Sequence, residues 1–162
     1  MTIGRMLPEH WPAVERIYQD GIDTNQATFE TQTPNWDVWD ESHLPEPRLV
    51  AKGTDGSVIG WAALSPVSKR HAYRGVAEVS IYIDVNHLGK GIGKKLLKEL
   101  ISQSEAKGIW TLQAVTFPEN EASVRLHESL GFRLVGQREK IAQQHGVWRD
   151  TVMLERRCSI SL

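Results

Sequence analysis

Three glycines at alternate positions, Gly89, Gly91 and Gly93, are the feature of the sequence that points most directly to chemistry. They lie between a predicted strand and a predicted helix. Such glycines let the backbone approach a ligand closely, and the start of a helix adds positive partial charge. We therefore expect the turn to bind a phosphate group. The alternative is a glycine-rich connection that binds no ligand.

Two common phosphate-binding motifs do not fit this turn. A P-loop needs a glycine five positions before Gly93 and a Ser or Thr after Lys94, but Leu88 and Lys95 occupy those positions. A dinucleotide-binding fingerprint needs its third glycine where Lys94 stands. The spacing excludes the P-loop and disfavours the dinucleotide motif.

The elements that must position the turn follow from hydrophobic periodicity. Residues 76–85 alternate, with Val79, Ile81 and Ile83 on one face of a strand and Glu78 on the other. The predicted order is βαα, three consecutive strands, then αβαββ, which indicates a mixed sheet flanked by helices. Strands are predicted at 2–7, 48–52, 57–64, 76–85, 110–117, 132–138 and 147–155, and helices from Pro8 to an end at Gly21 and at 36–43, 91–107 and 120–130.

Bulk properties narrow the class of protein. A chain of 162 residues with 40% hydrophobic and 24% charged residues fits one domain, 1–162. A net charge of −1 argues against nucleic-acid and anionic-membrane partners. The single Cys158 cannot form an intramolecular disulfide, and no signal peptide or membrane span is evident. We therefore expect a cytoplasmic protein, and without a Cys pair or spaced histidines we expect no metal site.

A second motif, which begins at Asn120 and Ser123 and ends in Leu-Gly-Phe at 130–132, accompanies the glycine turn. Together they resemble the coenzyme A signature of the GNAT acetyltransferase superfamily. Gly91 and Gly93 match its glycines, and Leu88 stands where Gln or Arg is usual. Segments 27–30, 72–74, 77–83, 123–128 and 145–150 are similar to the phosphinothricin and methionine sulfoximine acetyltransferases.

The resemblance implies a fold, a co-substrate and a reaction. The fold is a mostly antiparallel sheet of about seven strands with about four helices, splayed between the fourth and fifth strands. The resemblance further implies acetyl-CoA as the co-substrate, a small amino-acid-like amine as the acceptor, and a homodimeric assembly. Acetyl transfer proceeds by direct attack of the amine in a ternary complex, without an acyl-enzyme.

The resemblance also assigns roles to individual residues. Glu78 is the base that takes a proton from the amine, and His127 is the acid near the leaving thiolate. The acceptor is expected to contact Phe29, Glu30, Tyr73 and Arg74. The coenzyme is expected to contact Ile81, Tyr82, Ile83, Gly89, Lys90, Gly91, Ile92, Gly93, Lys94, Asn120 and Ser123.

Structural roles remain open for several of these residues. Glu78 can be a buried acid paired with an arginine such as Arg74, because a mid-strand carboxylate is costly without a partner. His127 can be a packed or surface histidine, and Asn120 can be a helix N-cap. At the level of function, a peptide or protein N-acetyltransferase and a non-catalytic acyl-CoA-binding regulatory module are the alternatives.

Overall fold

The computed structural model describes residues 1–159, within which seven strands and four α-helices form. The last three residues of the predicted domain, 160–162, lie outside the described residues. Short 3-10 turns at Pro8–His10, His71–Tyr73 and Val85–His87 connect some of the elements. The elements are β1 (Thr2–Arg5), α1 (Trp11–Asp23), α2 (Trp36–Ser42), β2 (Arg48–Lys52), β3 (Val58–Pro66), β4 (Val76–Ile83), α3 (Ile92–Ala106), β5 (Thr111–Thr116), α4 (Glu121–Ser129), β6 (Arg133–Gln144) and β7 (Val147–Arg157).

All seven strands form one sheet in the order β1-β2-β3-β4-β5-β7-β6. Every neighbouring pair is antiparallel except β4 and β5, which run parallel. A parallel pair requires a crossover connection, and α3 supplies it between these two strands. The predicted mixed, mostly antiparallel sheet with flanking helices is confirmed.

Two hydrophobic clusters cover the two faces of the sheet. On one face, the apolar stripe of α3, including Leu96, Leu97 and Leu100, packs against buried sheet residues such as Ala77 and Leu112. On the other face, α1 and α2 bury an aromatic cluster that includes Trp11, Trp39 and Trp61. The predicted alternation of β4 is confirmed, because Val79, Ile81 and Ile83 contact the first cluster and Tyr82 contacts the second.

The prediction that Gly21 ends the first helix is wrong. Helix α1 continues to Asp23, and Gly21 instead makes room for a neighbouring ring. A Cβ placed on Gly21 would lie 2.5 Å from Cδ1 of Tyr82. The glycine is therefore a packing contact between α1 and β4, which the sequence alone does not distinguish from a helix stop.

Strand β6 is longer than its predicted range of 132–138, and it ends at Gln144. The pairing of β6 with β7 shifts register between Arg138 and Ala142, where Lys140 adopts a positive φ of 45°. Asp150 of β7 accepts a hydrogen bond from the Lys140 N–H at 2.8 Å, which fixes this irregularity. The irregularity interrupts the alternation on which the sequence-based prediction depended.

The packing at Gly21 predicts that Gly21→Ala destabilises the fold. Overpacking costs about 1–3 kcal/mol, which exceeds the roughly 1 kcal/mol that alanine gains over glycine inside a helix. The matched control is Gly93→Ala in α3, where the added Cβ would meet Leu126 at an ordinary 3.5 Å. Urea denaturation without ligand should show a lower midpoint for Gly21→Ala only. Equal midpoints for the two variants would contradict the prediction.

Candidate active site

The parallel pairing of β4 with β5 is short. It joins three residue pairs, from Val76–Thr111 to Glu78–Gln113, although β4 continues to Ile83. Beyond Glu78, within residues 1–159, β4 keeps a strand partner only on its β3 side. The two strands separate at this point, which confirms the predicted splay. Backbone polar groups on the β5 side of β4 therefore face a gap, where a ligand can satisfy them.

A cavity of about 680 Å³ opens at this separation. One of its walls is the irregular segment 24–35, called the cavity loop below, which lies wholly within the described residues and forms neither helix nor strand. The cavity is lined by Tyr18 of α1, residues 27–28 and 30–34 of the cavity loop, Val38, Trp39, Ser42 and His43 at α2, Ser65 of β3, residues 78–82 of β4, residues 114–116 of β5, and Asn120, Ser123 and His127 at α4.

Glu78 lies half-buried in the cavity wall, at the last paired position between β4 and β5. Burial raises the pKa of the Glu78 carboxyl above its usual value, and the positive charge of Arg138 opposes this shift only in part. The alternative pairing with Arg74 is not formed. The Arg74 guanidinium donates to the His71 carbonyl and lies 5.2 Å from the ring centre of Trp110. Glu78 is thus a carboxylate whose environment favours proton uptake.

His127 is buried in α4 with one edge of its ring committed to the backbone. Its Nδ1–H donates to the Ser123 carbonyl oxygen at 2.7 Å, and its ring packs edge-on against Phe132. Burial lowers the pKa of the imidazole, although this hydrogen bond opposes the shift. Nε2 therefore carries the lone pair, and it has no hydrogen-bond partner among residues 1–159.

Asn120 is the N-cap of α4, which confirms the structural role that the sequence left open. Its side-chain oxygen accepts a hydrogen bond from the Ser123 N–H at 3.2 Å. Its side-chain amide donates to the Gln26 carbonyl oxygen at 3.2 Å. Asn120 therefore connects the start of α4 to the cavity loop, and the capping role leaves one of its amide hydrogens available to a ligand.

The glycine turn has the geometry of an anion-binding backbone. Gly89 and Gly91 adopt positive φ angles of 74° and 76°, and a Cβ on either would meet nothing within 4 Å. Gly91 is the N-cap of α3, and the first N–H groups of an α-helix have no partner within the helix. Asp84 fixes the approach to the turn by accepting hydrogen bonds from the Asn86 N–H at 2.9 Å and from Arg16 at 3.0 Å. These residues fit a pyrophosphate group.

Side chains at other predicted coenzyme positions are committed to packing or are exposed. Ile92 is buried in the α3 cluster, and Ile81 and Ile83 pack against the same cluster, which leaves their backbone groups for a ligand. Lys90 and Lys94 are exposed beside the turn, where their charges favour an anion. Leu88 is 61% exposed, so a ligand at the turn meets backbone N–H groups and no polar side chain at that position.

The predicted acceptor residues fall into two places. Glu30 lines the cavity, and Phe29 packs behind it, edge-on against Phe117 with ring centres 4.9 Å apart. Tyr73 lines a second, separate depression of about 520 Å³, which also includes Trp110. Arg74 lies over that tryptophan at 5.2 Å. The chain thus brings Glu30 and Glu78 to one cavity, whereas Tyr73 and Arg74 lie just before the start of β4, with Tyr73 in the second depression.

Sequence reasoning missed several residues of the cavity. Tyr18 contributes to the aromatic cluster, with its ring 4.9 Å from that of Tyr82, and burial raises its pKa to about 12. His43 stacks on Trp39 at 4.0 Å and donates from Nδ1 to the Trp39 carbonyl. Tyr18 belongs to the apolar stripe of α1, and its hydroxyl group was the one feature of the sequence that could have indicated a position at the cavity. Nothing in the local sequence distinguishes His43.

Residues 1–159 contain neither a cluster of metal ligands nor a membrane-spanning helix. In this part of the chain, no group of three His, Cys, Asp or Glu side chains comes together as metal ligands. Nor does any helix there have both the length and the apolar character that crossing a membrane requires.

Comparison with known proteins gives the family. A model of the acetyltransferase (GNAT) family matches residues 11–132. The chain belongs to this family. It is 31% identical over 150 residues to the L-methionine sulfoximine/L-methionine sulfone acetyltransferase of Pseudomonas paraeruginosa, which covers 89% of this chain and 87% of that protein. It is 34% identical over 148 residues to the phosphinothricin N-acetyltransferase of Streptomyces viridochromogenes. That alignment covers 89% of this chain and 80% of that protein.

A solved structure shows the same architecture. The crystal structure of a GNAT superfamily phosphinothricin acetyltransferase from Sinorhizobium meliloti, in complex with acetyl-CoA, matches with a TM-score of 0.88 and 32% identity. The match covers 96% of this chain and 87% of that chain. The predicted GNAT membership is confirmed, and this chain is an acyltransferase.

The environment of Glu78 predicts a pH-dependent stability difference for Glu78→Gln. Because the folded state raises the pKa of this carboxyl, its ionisation costs stability progressively as the pH rises above about 4.3, the usual value for glutamate. The variant cannot ionise, so its melting temperature should exceed that of the wild type at about pH 8, and the difference should shrink towards about pH 4.

Glu128→Gln is the matched control, because Glu128 is exposed on α4. Its melting temperature should follow that of the wild type across the same pH range. A Glu78→Gln variant that is less stable than the wild type at high pH would show that the carboxylate has a stabilising partner, which contradicts the prediction.

Proposed function

We propose that this GNAT acyltransferase transfers an acetyl group from acetyl-CoA to the α-amine of a small amino-acid-like acceptor. The acceptor class is that of phosphinothricin, methionine sulfoximine and methionine sulfone, and attack is direct within a ternary complex. The observation that carries the proposal is the half-buried Glu78, placed where β4 and β5 separate and facing a cavity of about 680 Å³. The substrates in the names of the two relatives described above support the acceptor class.

The glycine turn is the proposed seat of the coenzyme pyrophosphate. The left-handed Gly89 and Gly91 stand at the start of α3, where the first backbone N–H groups have no partner within the helix. Lys90 and Lys94 add positive charge there. The rest of the coenzyme would follow the free edge of β4 at 81–83 and pass the start of α4, where Ser123 is a small residue. The backbone geometry supports this path.

Glu78 is the proposed general base. An α-ammonium group has no lone pair, so a proton must leave before the nitrogen can attack the thioester carbonyl. Glu78 takes that proton, directly or through water, and the raised pKa of its carboxyl brings it closer to that of the amine. A new C–N bond then forms, the nitrogen loses its second excess proton to water, the C–S bond breaks, and the coenzyme leaves as a thiolate. Backbone N–H groups of β4 at 81–83 are the proposed donors to the oxyanion.

His127 is the proposed acid for the departing thiolate. Its Nδ1 hydrogen is donated to Ser123, so a transferable proton would have to be on Nε2. Because burial lowers the pKa of this imidazole, its protonated form is scarce near neutral pH but is a stronger acid than ordinary histidine. Transfer to a thiolate, with an ordinary pKa of about 8.5 for a thiol, is then strongly favourable.

Contacts between Tyr73, Arg74 and the acceptor, a homodimeric assembly and a cytoplasmic location stay predictions. A guanidinium such as that of Arg74 suits an acceptor carboxylate because it donates two parallel hydrogen bonds. A second subunit that brings its own residues to the cavity would be one way to complete the acceptor site. Gel filtration with light scattering would determine the assembly state.

An acceptor panel tests the proposed function. Thiol release from acetyl-CoA should be measured with L-methionine sulfoximine, L-methionine sulfone and phosphinothricin, beside a short peptide and a lysine ester. We expect turnover on the three amino-acid analogues. Turnover only on the peptide or the lysine ester would replace this function by a peptide acetyltransferase. Coenzyme binding without turnover on any amine would replace it by a regulatory module.

The base role predicts the kinetics of Glu78→Gln. The turnover number near neutral pH should fall by about 10²–10⁴, the usual contribution of a general base. In the wild type, turnover should fall as the pH is lowered through the raised pKa of Glu78, and this limb should be absent in the variant. Acetyl-CoA affinity, measured by calorimetry, should stay close to that of the wild type, and Glu128→Gln should behave as the wild type. An unchanged rate profile would remove Glu78 as the base.

A further inference from the structure

The cavity loop contributes much of the cavity wall, although it has no regular backbone ladder. Residues 27–28 and 30–34 line the cavity, and residues 24–35, all of them described, contain neither helix nor strand. The position of such a segment depends on contacts from other parts of the chain, because its own backbone provides few internal hydrogen bonds.

Three carbonyl groups of the cavity loop accept hydrogen bonds from side chains that are distant in sequence. The Asn25 carbonyl accepts from Arg149 at 2.6 Å, and the Thr28 carbonyl accepts from Gln144 at 2.9 Å. Between them, the Gln26 carbonyl accepts from Asn120 at 3.2 Å. Two of the three donors, Gln144 and Arg149, come from the connected ends of β6 and β7, so this hairpin holds the loop in place.

Arg149 has further partners around the same guanidinium. It donates to the side-chain oxygens of Gln144 and Gln26, and it forms an ion pair with Glu119 at 3.4 Å. Its guanidinium carbon also lies 3.7 Å from the ring centre of Phe117, just after β5. The side chain is only 14% exposed. One planar group with several donors thus joins the cavity loop, the hairpin and the end of β5.

The ring contact continues into the cavity loop. Phe117 packs edge-on against Phe29, whose chain neighbours Thr28 and Glu30 line the cavity. The guanidinium on Phe117 and the ring of Phe29 therefore fix the loop from behind, while the hydrogen bonds fix its carbonyl groups. Of these hydrogen bonds, that of Asn120 involves a residue expected to contact the coenzyme. Within residues 1–159, the hydrogen bonds of Gln144 and Arg149 involve none of the predicted coenzyme positions, so these two residues bear on the acceptor side of the site.

We propose that Arg149 is a positioning residue for acceptor binding, which acts by holding the cavity loop over the cavity. The inference rests on the proposed function. Without Arg149 the loop would sample other conformations, and the acceptor would bind only the fraction with the loop in place. Apparent acceptor affinity would fall by that fraction, while the chemical step of the bound complex would be preserved.

The test compares Arg149→Met and Arg149→Lys with the control Arg133→Met. Arg133 lies on the same hairpin, but its side chain is 68% exposed and, within the described part of the chain, forms one ion pair, with Glu155. Full-length variants should be assayed with acetyl-CoA and L-methionine sulfoximine. In parallel, amide hydrogen exchange of residues 25–30 should be followed in the absence of substrates.

For Arg149→Met we expect the acceptor KM to rise about tenfold or more, with kcat within about threefold, because only the competent fraction changes. Acetyl-CoA affinity should be unchanged, and amides of residues 25–30 should exchange at least about tenfold faster. Arg149→Lys should recover part of the loss, since it keeps the charge but lacks the planar set of donors. Arg133→Met should match the wild type in every measurement.

Unchanged exchange of residues 25–30 in Arg149→Met would overturn the proposal, and so would a loss confined to kcat. Should that variant fail to fold, Gln144→Leu removes the hydrogen bond to Thr28 and one partner of Arg149, and it should raise the acceptor KM in the same way. A wild type that acetylates no amine would overturn the proposed function alone. Hydrogen exchange would still decide whether Arg149 holds the loop.

Discussion

The site depends on one constraint, the early end of the parallel pairing between β4 and β5. Three pairs suffice to hold the strands together, and the last of them contains Glu78. Beyond it, among the strands of residues 1–159, β4 pairs with β3 alone, so its other edge is open along 79–83. The same strand then leads into the glycine turn and α3. One local separation thus places a carboxylate and an open backbone edge on the strand that leads to the glycine turn.

The alternation of β4 lets this opening coexist with a packed core. Val79, Ile81 and Ile83 contact the α3 cluster, which anchors the strand although one of its edges is free. The opposite side chains face the cavity, and there Tyr82 packs against Gly21 of α1. Burial of Glu78 on that face opposes its ionisation. The destabilising burial of a carboxylate is thus confined to the cavity face of β4, while the face towards α3 supplies the stabilising apolar contacts.

Much of the fold and the geometry of the glycine turn could be predicted from the sequence, because their signals are local. The alternation of apolar residues predicted β4, and a helical apolar stripe predicted α3. Gly89 and Gly91 predicted a turn, and both do adopt left-handed backbone angles. The errors arose where tertiary contacts decide. Gly21 lies within a helix, where the absence of a side chain makes room for the ring of Tyr82. Strand β6 continues past residue 138 because Asp150 supports the irregularity in its pairing with β7.

The acceptor side could not be predicted in the same way, because its geometry is set by contacts between remote positions. Segments 27–30 and 145–150 each stood out in the sequence, but their connection did not: Arg149 and Asn25 are 124 positions apart. Hydrophobic periodicity along the sequence carries no information about a contact between residues so far apart. A binding wall held by long-range contacts can also change its shape without altering the local motifs of the coenzyme turn. The local motifs therefore indicate the family, whereas the shape of the cavity wall depends on long-range contacts that no local motif contains.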